Sequence, residues 1–539
     1  MKFFSARKYL LLILVLAATL RFYHLADRGI FISDEGYYLN GSKTIYVALE
    51  YCWKKFLPGH VLPSFQEYLV RHGGGYPDNG KPGYFLLVTL SFLFFGVSDY
   101  AALFLSAFLG SLTILLVYFI GKKSSNERAG LWAALILAVS PYHINYSRSA
   151  LSIATSTFFA LCGLTFYLHW YEKLLSKRES PWYLVASGSF LGFAYTCHYN
   201  LFWFIFFCIG VHVYLCFFNF KRRNLFQRIK RVVGFISSVA FPIFLLDIPY
   251  RVARKLLADS VSFSTGRPYE IRTYLGQIKH QFIDAGGLNF THRDISFYIK
   301  LLLTSEGIVV MILTLLGFMV ILFKAMKRQI ILPHLFILGM ALLPFSLFSL
   351  YIFKVSRSIA LAIPAISLAS ALAVEWLMQS MRSSLFSKKA GQFLVAFFIV
   401  LSGLDRSAEI VYARSNNKEV YQFLKAKGTS KCISSQPPNA TFYLGKDSVY
   451  PLWGVTWAEA KRLYEEENYR YLLLDAGKFF SSRDTHFFIY QVMNSNYTPI
   501  FTSNFIPFYL LSLDYTYTGE KLTQDPTLQV YDLKEIFEK

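Results

Sequence analysis

The sequence has little charge for its length. Only 16% of its 539 residues are Asp, Glu, Lys or Arg, whereas 54% are hydrophobic, including 53 Phe and 37 Tyr. A soluble surface needs more charge than this, and a disordered chain contains fewer apolar residues. The composition therefore excludes both classes and predicts that most of the chain lies in a lipid bilayer.

The cysteines lack the spacing of a functional cluster. Six are present, with no C-x-x-C pair and no neighbouring group of His and Cys residues. Such spacing indicates neither a disulfide framework nor a metal site.

Eleven apolar runs approach the length of about 17–25 residues that crosses a bilayer. The first begins basic and has no small-x-small cleavage site after it, which favours an uncleaved span over a signal peptide. A further run, 83–97, is shorter. The runs predict an α-helical polytopic membrane protein with about 11–13 transmembrane helices; the eleven candidates are 9–25, 100–120, 129–146, 149–170, 182–198, 200–219, 231–249, 306–323, 331–350, 358–378 and 391–405.

After residue 405 the sequence becomes polar. Residues 406–539 contain short strand-like runs such as Tyr471–Asp475 and a helix-like run at Ala458–Asn468. We therefore predict two domains, a transmembrane domain over 1–405 with a first outer loop at 26–82, and a soluble C-terminal α/β domain over 406–539.

The basic excess, a net charge of +21, would suit a nucleic-acid-binding protein, but its distribution indicates topology instead. Six clusters fall on one side of the membrane if 83–97 is a re-entrant or interfacial helix. The positive-inside rule then places the N-terminus in the cytoplasm and the C-terminal domain outside, and no nucleic-acid partner is expected. The clusters are 2–8, 122–128, 173–178, 221–231, 324–328 and 382–389.

This topology gathers the unusual polar residues at the outer face, and a convergence of ionisable residues at a membrane surface predicts a functional site. The pair Asp34-Glu35 follows the first span closely. A carboxylate held near an apolar wall can act as a general base near neutral pH. The alternative is a solvated loop acid, or an N-cap for a helix running from about Tyr37.

Cations at the same face suit a lipid phosphate. Lys81 lies in Asn79-Gly80-Lys81-Pro82-Gly83, and Lys354 and Arg357 share a short turn. Each could instead be a snorkelling interfacial anchor. The polar turn Ser140–Arg148 predicts a cavity lining; the predicted lining residues are Tyr37, Tyr142, His143, Tyr146, His198 and Tyr199, with Arg148 as a further phosphate ligand.

These motifs together resemble the GT-C glycosyltransferases, and more narrowly the family 39 protein O-mannosyltransferases and the aminoarabinose-transferase group. The resemblance covers roughly residues 8–380. Its motifs, in order, are Leu20-Arg21-Phe22-Tyr23-His24-Leu25, Asp34-Glu35-Gly36-Tyr37-Tyr38, Lys81-Pro82, Ser140-Pro141-Tyr142-His143 through Ser147-Arg148, and Arg357 ahead of Pro364.

The resemblance implies an enzyme of the cytoplasmic (inner) membrane that uses a polyprenyl-phosphate sugar. It implies transfer outside the membrane to a lipid, protein or glycan acceptor, with Asp34 as the catalytic acid and Glu35 as its motif neighbour. By the same resemblance Lys81 contacts the carrier phosphate and Arg357 is a second contact. One base opposite the leaving group predicts inversion at the anomeric carbon.

Two departures from the family pattern leave other interpretations open. No acid follows Ser147-Arg148 within residues 149–155, and Gly80 stands where relatives often have an acid. Few acids argue against a divalent metal, although one is not excluded, and no other cofactor is expected. A lipid or glycan transporter is the alternative function, and an inactive GT-C scaffold is a third.

Overall fold

The structure, a computed structural model, describes residues 2–538 apart from several gaps. The gaps are 59–60, 74–80, 179, 220–223, 266–295, 350–354, 381–384, 416, 429–430, 453, 476–482, 496 and 505–526.

Helices make up the first part of the chain, because a helix satisfies its own backbone hydrogen bonds in lipid. Up to residue 219 they are α1 Lys2–Phe22, α2 Leu25–Arg28, α3 Ser33–Phe56, α4 Phe65–His72, α5 Pro82–Phe95, α6 Asp99–Ser124, α7 Glu127–Ala138, α8 Pro141–Ser147, α9 Ile153–Leu175, α10 Pro181–Cys197, the 3₁₀ turn Tyr199–Leu201, α11 Phe202–Tyr214 and a π-helical turn at Leu215–Asn219.

Beyond residue 224 the described helices are α12 Leu225–Thr265, α13 Phe297–Ser305, α14 Gly307–Met326, α15 Leu332–Ser349, the 3₁₀ turn Ser356–Ile359, α16 Ala362–Ser380 and α17 Leu385–Tyr412. Eight helices of the described chain are long and apolar enough to cross a membrane. The predicted polytopic helical fold is confirmed. The 129–146 run differs in detail, because it breaks into α7 and α8 where Ser140 caps α8 and Pro141 supplies its first residue.

The short apolar helix α5 has both of its ends near the C-terminal region. Near its start, Phe85 lies against Gly41 of α3, and the adjacent Asn40 donates to the carbonyl of Pro438 in the C-terminal region. Just past its end, Asp99 accepts a hydrogen bond from Tyr443 of that region at 2.7 Å. The re-entrant or interfacial placement of the 83–97 run stays a prediction.

Three basic clusters meet at the opposite end of the bundle. Lys123, which follows α6, pairs with Glu172 near the end of α9. On the same loop Asn126 donates to Glu375 of α16 at 2.9 Å, and His334 of α15 bonds the carbonyl of Ser124 at 3.0 Å. The clusters 122–128, 173–178 and 324–328 are thereby brought to one end, as the charge pattern predicts.

The described part of the C-terminal region forms a mixed five-stranded sheet with helices. Its elements are α18 Asn417–Ala426, β1 Cys432–Ser434, α19 Pro437–Leu444, a 3₁₀ turn at Lys446–Ser448, β2 Val449–Pro451, α20 Trp457–Glu467, β3 Tyr471–Asp475, α21 Arg483–Asn494, β4 Phe501–Asn504, β5 Thr527–Asp532 and α22 Leu533–Phe537. The strand order is β2-β1-β3-β5-β4, with β1 parallel to both neighbours and β5 antiparallel to both of its neighbours. The predicted strand Tyr471–Asp475 is confirmed, and α17 runs on to Tyr412, past the predicted boundary.

Candidate active site

The site begins with an ion pair between Asp34 and Arg357. Oδ2 of Asp34 lies 2.6 Å from Nη1 of Arg357, and the two side chains are 35% and 23% exposed. The helix that carries Asp34 starts at Ser33 rather than near Tyr37, so the acidic pair lies in its first turn. Negative charge there is favoured by the helix dipole, and both side chains stay accessible to a ligand.

Glu35 has a different environment from its neighbour. It is 1% exposed and accepts from Arg28 at 2.9 Å. It also accepts from the backbone N–H of Phe31 at 2.6 Å and of Ala150 at 2.9 Å. These bonds tie the α2–α3 loop to the segment after α8, so Glu35 holds Asp34 in place.

Lys81 lies beside the same helix. Its Nζ donates to the hydroxyl of Tyr38, one turn after Asp34, and lies 5.7 Å from the ring centre of Tyr199. Gly83, two residues on, packs so tightly against Thr196 that a Cβ there would clash. The close contact brings the start of α5, and Lys81 with it, to the end of α10.

Two of the predicted cavity tyrosines hold the turn that carries Arg357. Tyr142 donates to the carbonyl of Ser356 at 2.5 Å, and the Tyr146 hydroxyl bonds the Ser356 hydroxyl. Tyr298 donates to the carbonyl of Val355 at 3.4 Å. The Ser140–Arg148 turn therefore positions Arg357 through Ser356, a residue that the sequence analysis did not select.

The buried carboxyl of Glu306 supports the Ser140–Arg148 segment, and the sequence motifs did not indicate it either. Glu306 precedes α14 and is 4% exposed. It accepts from the Ser140 hydroxyl at 3.0 Å and from the backbone N–H of Tyr142 at 3.2 Å. The available signal was a lone acid at the edge of a long apolar run, a position that is costly without partners.

His198 is buried at the end of α10, where two cations act on it. It is 4% exposed, and its Nδ1 accepts from the backbone N–H of Asn200 at 3.2 Å. The charges that act on the ring are those of Lys81 and Arg357. His198 and Tyr199 thus lie with the two cations predicted to bind phosphate.

Arg148 and His143 lie in a separate network. The Arg148 guanidinium is fully buried and bonds backbone carbonyls, and His143 Nδ1 lies 2.8 Å from Nη2 of Arg21. These bonds join α1, α8 and α17 into one unit. Arg148, which was predicted to bind phosphate, therefore has a structural role here. The carbonyls that Arg148 bonds are those of Leu20, Arg21, Tyr23 and Val411.

The remaining two predicted site residues are Tyr37 and Lys354. Tyr37 is partly buried and packs against the apolar core. Lys354 lies outside the described residues, so its predicted phosphate contact remains a prediction.

The C-terminal region contacts the helix that carries Asp34. Asn40 donates to the carbonyl of Pro438 at 2.8 Å. A Cβ at Gly36 would lie 2.7 Å from the backbone N of Asn439, so only glycine allows this approach. The backbone N–H of Ser415 donates to the carbonyl of Arg28 at 2.9 Å. The site therefore has the C-terminal region packed directly behind it.

Within the described part of the chain, no group of three or more His, Cys, Asp or Glu side chains could hold a metal ion. The charged groups near Asp34 are two cations. Arg357 pairs with Asp34 directly, and Lys81 bonds Tyr38 one turn along the same helix. Two cations suit an anionic ligand.

Part of the chain matches a known family. Residues 78–246 match the family described as dolichyl-phosphate-mannose-protein mannosyltransferase. An uncharacterized protein of Aquifex aeolicus (strain VF5) is 27% identical over 185 residues, a segment that spans 34% of this chain and 33% of that relative.

Two solved structures share the fold over most of the chain. The archaeal oligosaccharyltransferase AglB from Archaeoglobus fulgidus, in complex with an inhibitory peptide and a dolichol-phosphate, is 14% identical with a TM-score of 0.57, over 88% of this chain and 70% of that one. ArnT from Cupriavidus metallidurans in the apo state is 13% identical with a TM-score of 0.55, over 98% of both chains. The resemblance to the GT-C glycosyltransferases is confirmed in the fold that the chain shares with these two structures, and the candidate spans support a multi-pass membrane protein.

Proposed function

We propose that this protein transfers a sugar from a polyprenyl-phosphate carrier to an acceptor at the membrane face that holds the C-terminal region. The observation that carries the proposal is the convergence of Asp34, Arg357 and Lys81, one carboxylate and two cations contributed by α3, the Ser356–Ile359 turn and the start of α5. Those are the groups that displacement of a phosphate leaving group requires.

The cations are assigned to the leaving group. As the bond between the anomeric carbon and the phosphate oxygen breaks, the phosphate takes the electron pair and gains charge. Arg357 and Lys81 stabilise that charge, and a guanidinium can bind two phosphate oxygens at once.

Asp34 is assigned to the acceptor. The acceptor oxygen or nitrogen attacks the anomeric carbon, and its proton passes to the Asp34 carboxylate as the new bond forms. Because a retaining double displacement uses two carboxyl groups and Glu35 is committed to buried hydrogen bonds, we expect a single displacement with inversion.

The ion pair between Asp34 and Arg357 links the two assignments. Arg357 lies 2.6 Å from Asp34 and neutralises its charge. A donor phosphate competes for the guanidinium, and its binding releases the carboxylate to accept a proton. The base is then available when the sugar is in place.

The comparisons support a lipid-phosphate donor, and the proposal does not restrict the sugar that it carries. The matched family is described by dolichyl-phosphate-mannose, and the AglB structure contains a dolichol-phosphate. Lipid, protein and glycan acceptors all remain within the proposal. The N-terminus is proposed to be cytoplasmic and the C-terminal region extracytoplasmic, in the cytoplasmic membrane.

The test is a donor screen with the purified full-length protein in liposomes. Polyprenyl-phosphate sugars with radiolabelled hexose, pentose or aminopentose are supplied together with a cell-envelope extract. The proposal predicts that one donor loses its sugar while an equal amount of polyprenyl phosphate appears. Intact donor crossing the bilayer without cleavage would show a transporter, and intact, stationary donors would show an inactive scaffold; either result contradicts the proposal.

Orientation has a separate test. A single cysteine at Lys230, in a background where the native cysteines are replaced, is exposed to a membrane-impermeant maleimide. We expect labelling only after the cells are opened. Labelling of intact cells would reverse the proposed orientation.

A further inference from the structure

His198 carries a buried donor that has no partner. Its Nε2 makes no hydrogen bond, although the ring is only 4% exposed. A buried polar atom without a partner costs free energy, and at a functional site it indicates a ligand that supplies the missing bond.

The hydrogen bonds around the ring define which nitrogen holds the proton. Nδ1 accepts from the backbone N–H of Asn200 at 3.2 Å, so in the neutral ring Nε2 must carry the hydrogen. Lys81 and Arg357 both act on the imidazole electrostatically. Burial of the ring, together with the two neighbouring cations, disfavours the positively charged imidazolium, so the ring serves as a neutral N–H donor.

The fold locates this donor beside the proposed phosphate ligands. Gly83 packs on Thr196 and Cys197, which joins the Lys81 end of α5 to the His198 end of α10. Tyr199, the next residue, lies with its ring centre 5.7 Å from Nζ of Lys81. The groups around His198 are therefore those that an incoming phosphate would meet.

We propose that Nε2–H of His198 donates a hydrogen bond to a phosphate oxygen of the lipid carrier, between Lys81 and Arg357. This inference rests on the proposed function and adds a residue to it. The two cations supply charge, whereas the histidine supplies a directed bond that fixes the orientation of the phosphate. It remains neutral throughout the reaction, since the proton of the acceptor goes to Asp34.

The experiment measures binding of undecaprenyl phosphate and of undecaprenol, which lacks the phosphate, to the purified full-length protein. His198→Asn keeps an amide near the Nδ1 position but does not reach the Nε2 position, while the longer His198→Gln does. We expect His198→Asn to bind the phosphate about tenfold more weakly or worse, as fits loss of a bond to a charged group, and His198→Gln to recover most of that loss. Binding of undecaprenol should not change.

His334→Asn is the matched control. This histidine is also buried, at 1% exposure, but it bonds Ser124 at the opposite end of the bundle. Equal phosphate affinity of His198→Asn and wild type, or equal losses in His198→Asn and His334→Asn, would overturn the inference. A wild-type protein that binds the alcohol as well as the phosphate would instead contradict the proposed function.

Discussion

Asp34 and Arg357, which are far apart in the sequence, form an ion pair with 2.6 Å between carboxylate and guanidinium. One stands at the start of α3 and the other in the turn before α16. Their pairing joins two polar residues from distant parts of the chain into one unit.

Arg357→Gln should lower sugar transfer by about 100-fold, because loss of one preorganised donor to a developing oxyanion costs about 10²–10³ in rate. Arg357→Lys keeps the charge but not the bidentate geometry, so its rate of transfer should lie between those of wild type and Arg357→Gln. Initial rates with the donor identified by the screen measure the effect. Lys123→Gln, which breaks an ion pair at the other end of the molecule, is the control, and rates of Arg357→Gln within twofold of it would refute the assignment.

Glu35→Gln should destabilise the protein rather than act on chemistry alone. The substitution leaves Arg28, 2% exposed, without its counter-charge. Breaking a buried ion pair from one side costs about 3–5 kcal/mol. Thermal unfolding in detergent should show a lower midpoint than wild type. A variant that is as stable as wild type and yet inactive would make Glu35 a catalytic group.

These two acids show what sequence could and could not supply. The motif Asp34-Glu35 identifies the site because ionisable residues at a membrane are energetically costly and therefore indicate a function. The motif does not separate the roles of the two acids. Those roles depend on the partners that the fold supplies, Arg357 for Asp34 and Arg28 for Glu35.

Arg148 shows that a residue selected from the sequence as a phosphate ligand can have a structural role in the fold. As a cation at the outer face it suited a phosphate, but its guanidinium is buried among backbone carbonyls. Those carbonyls lie at or next to the C-terminal ends of α1 and α17. The sequence does not show that these two helix ends lie close together. The helical class, the strand Tyr471–Asp475 and the short helix α5 were predictable, because apolar length and β-propensity are local properties.

Gly36→Ala should reduce transfer by about tenfold or more. The added Cβ would meet Asn439 and Pro438, so α19 must move away from the helix that carries Asp34. Limited proteolysis of the C-terminal region should become faster as well. Gly234→Ala has open space around its Cβ and should behave as wild type; equal behaviour of both variants would show that the contact does not support the site.

Lys43 provides a pH test of the contact between α3 and the C-terminal region. Burial, together with repulsion from Lys425 of α18, lowers the pKa of the Lys43 amine. Near neutral pH the charged amine therefore opposes folding. As the pH rises through the lowered pKa toward 10.5, the unfolded chain binds more protons than the folded chain, and stability rises. Lys43→Met should raise the unfolding midpoint at pH 7 and the gain should shrink by pH 10; a gain that is equal at both pH values would contradict this.

The most direct test of the central claim is sugar transfer by Asp34→Asn, with the donor that the wild-type protein cleaves. The asparagine keeps the size of the side chain but cannot accept the proton. We expect at least a 100-fold loss of transfer, within the range that general base catalysis contributes, with undecaprenyl phosphate binding retained because Arg357 and Lys81 remain. Full transfer activity in Asp34→Asn would contradict the assignment of Asp34 as the base.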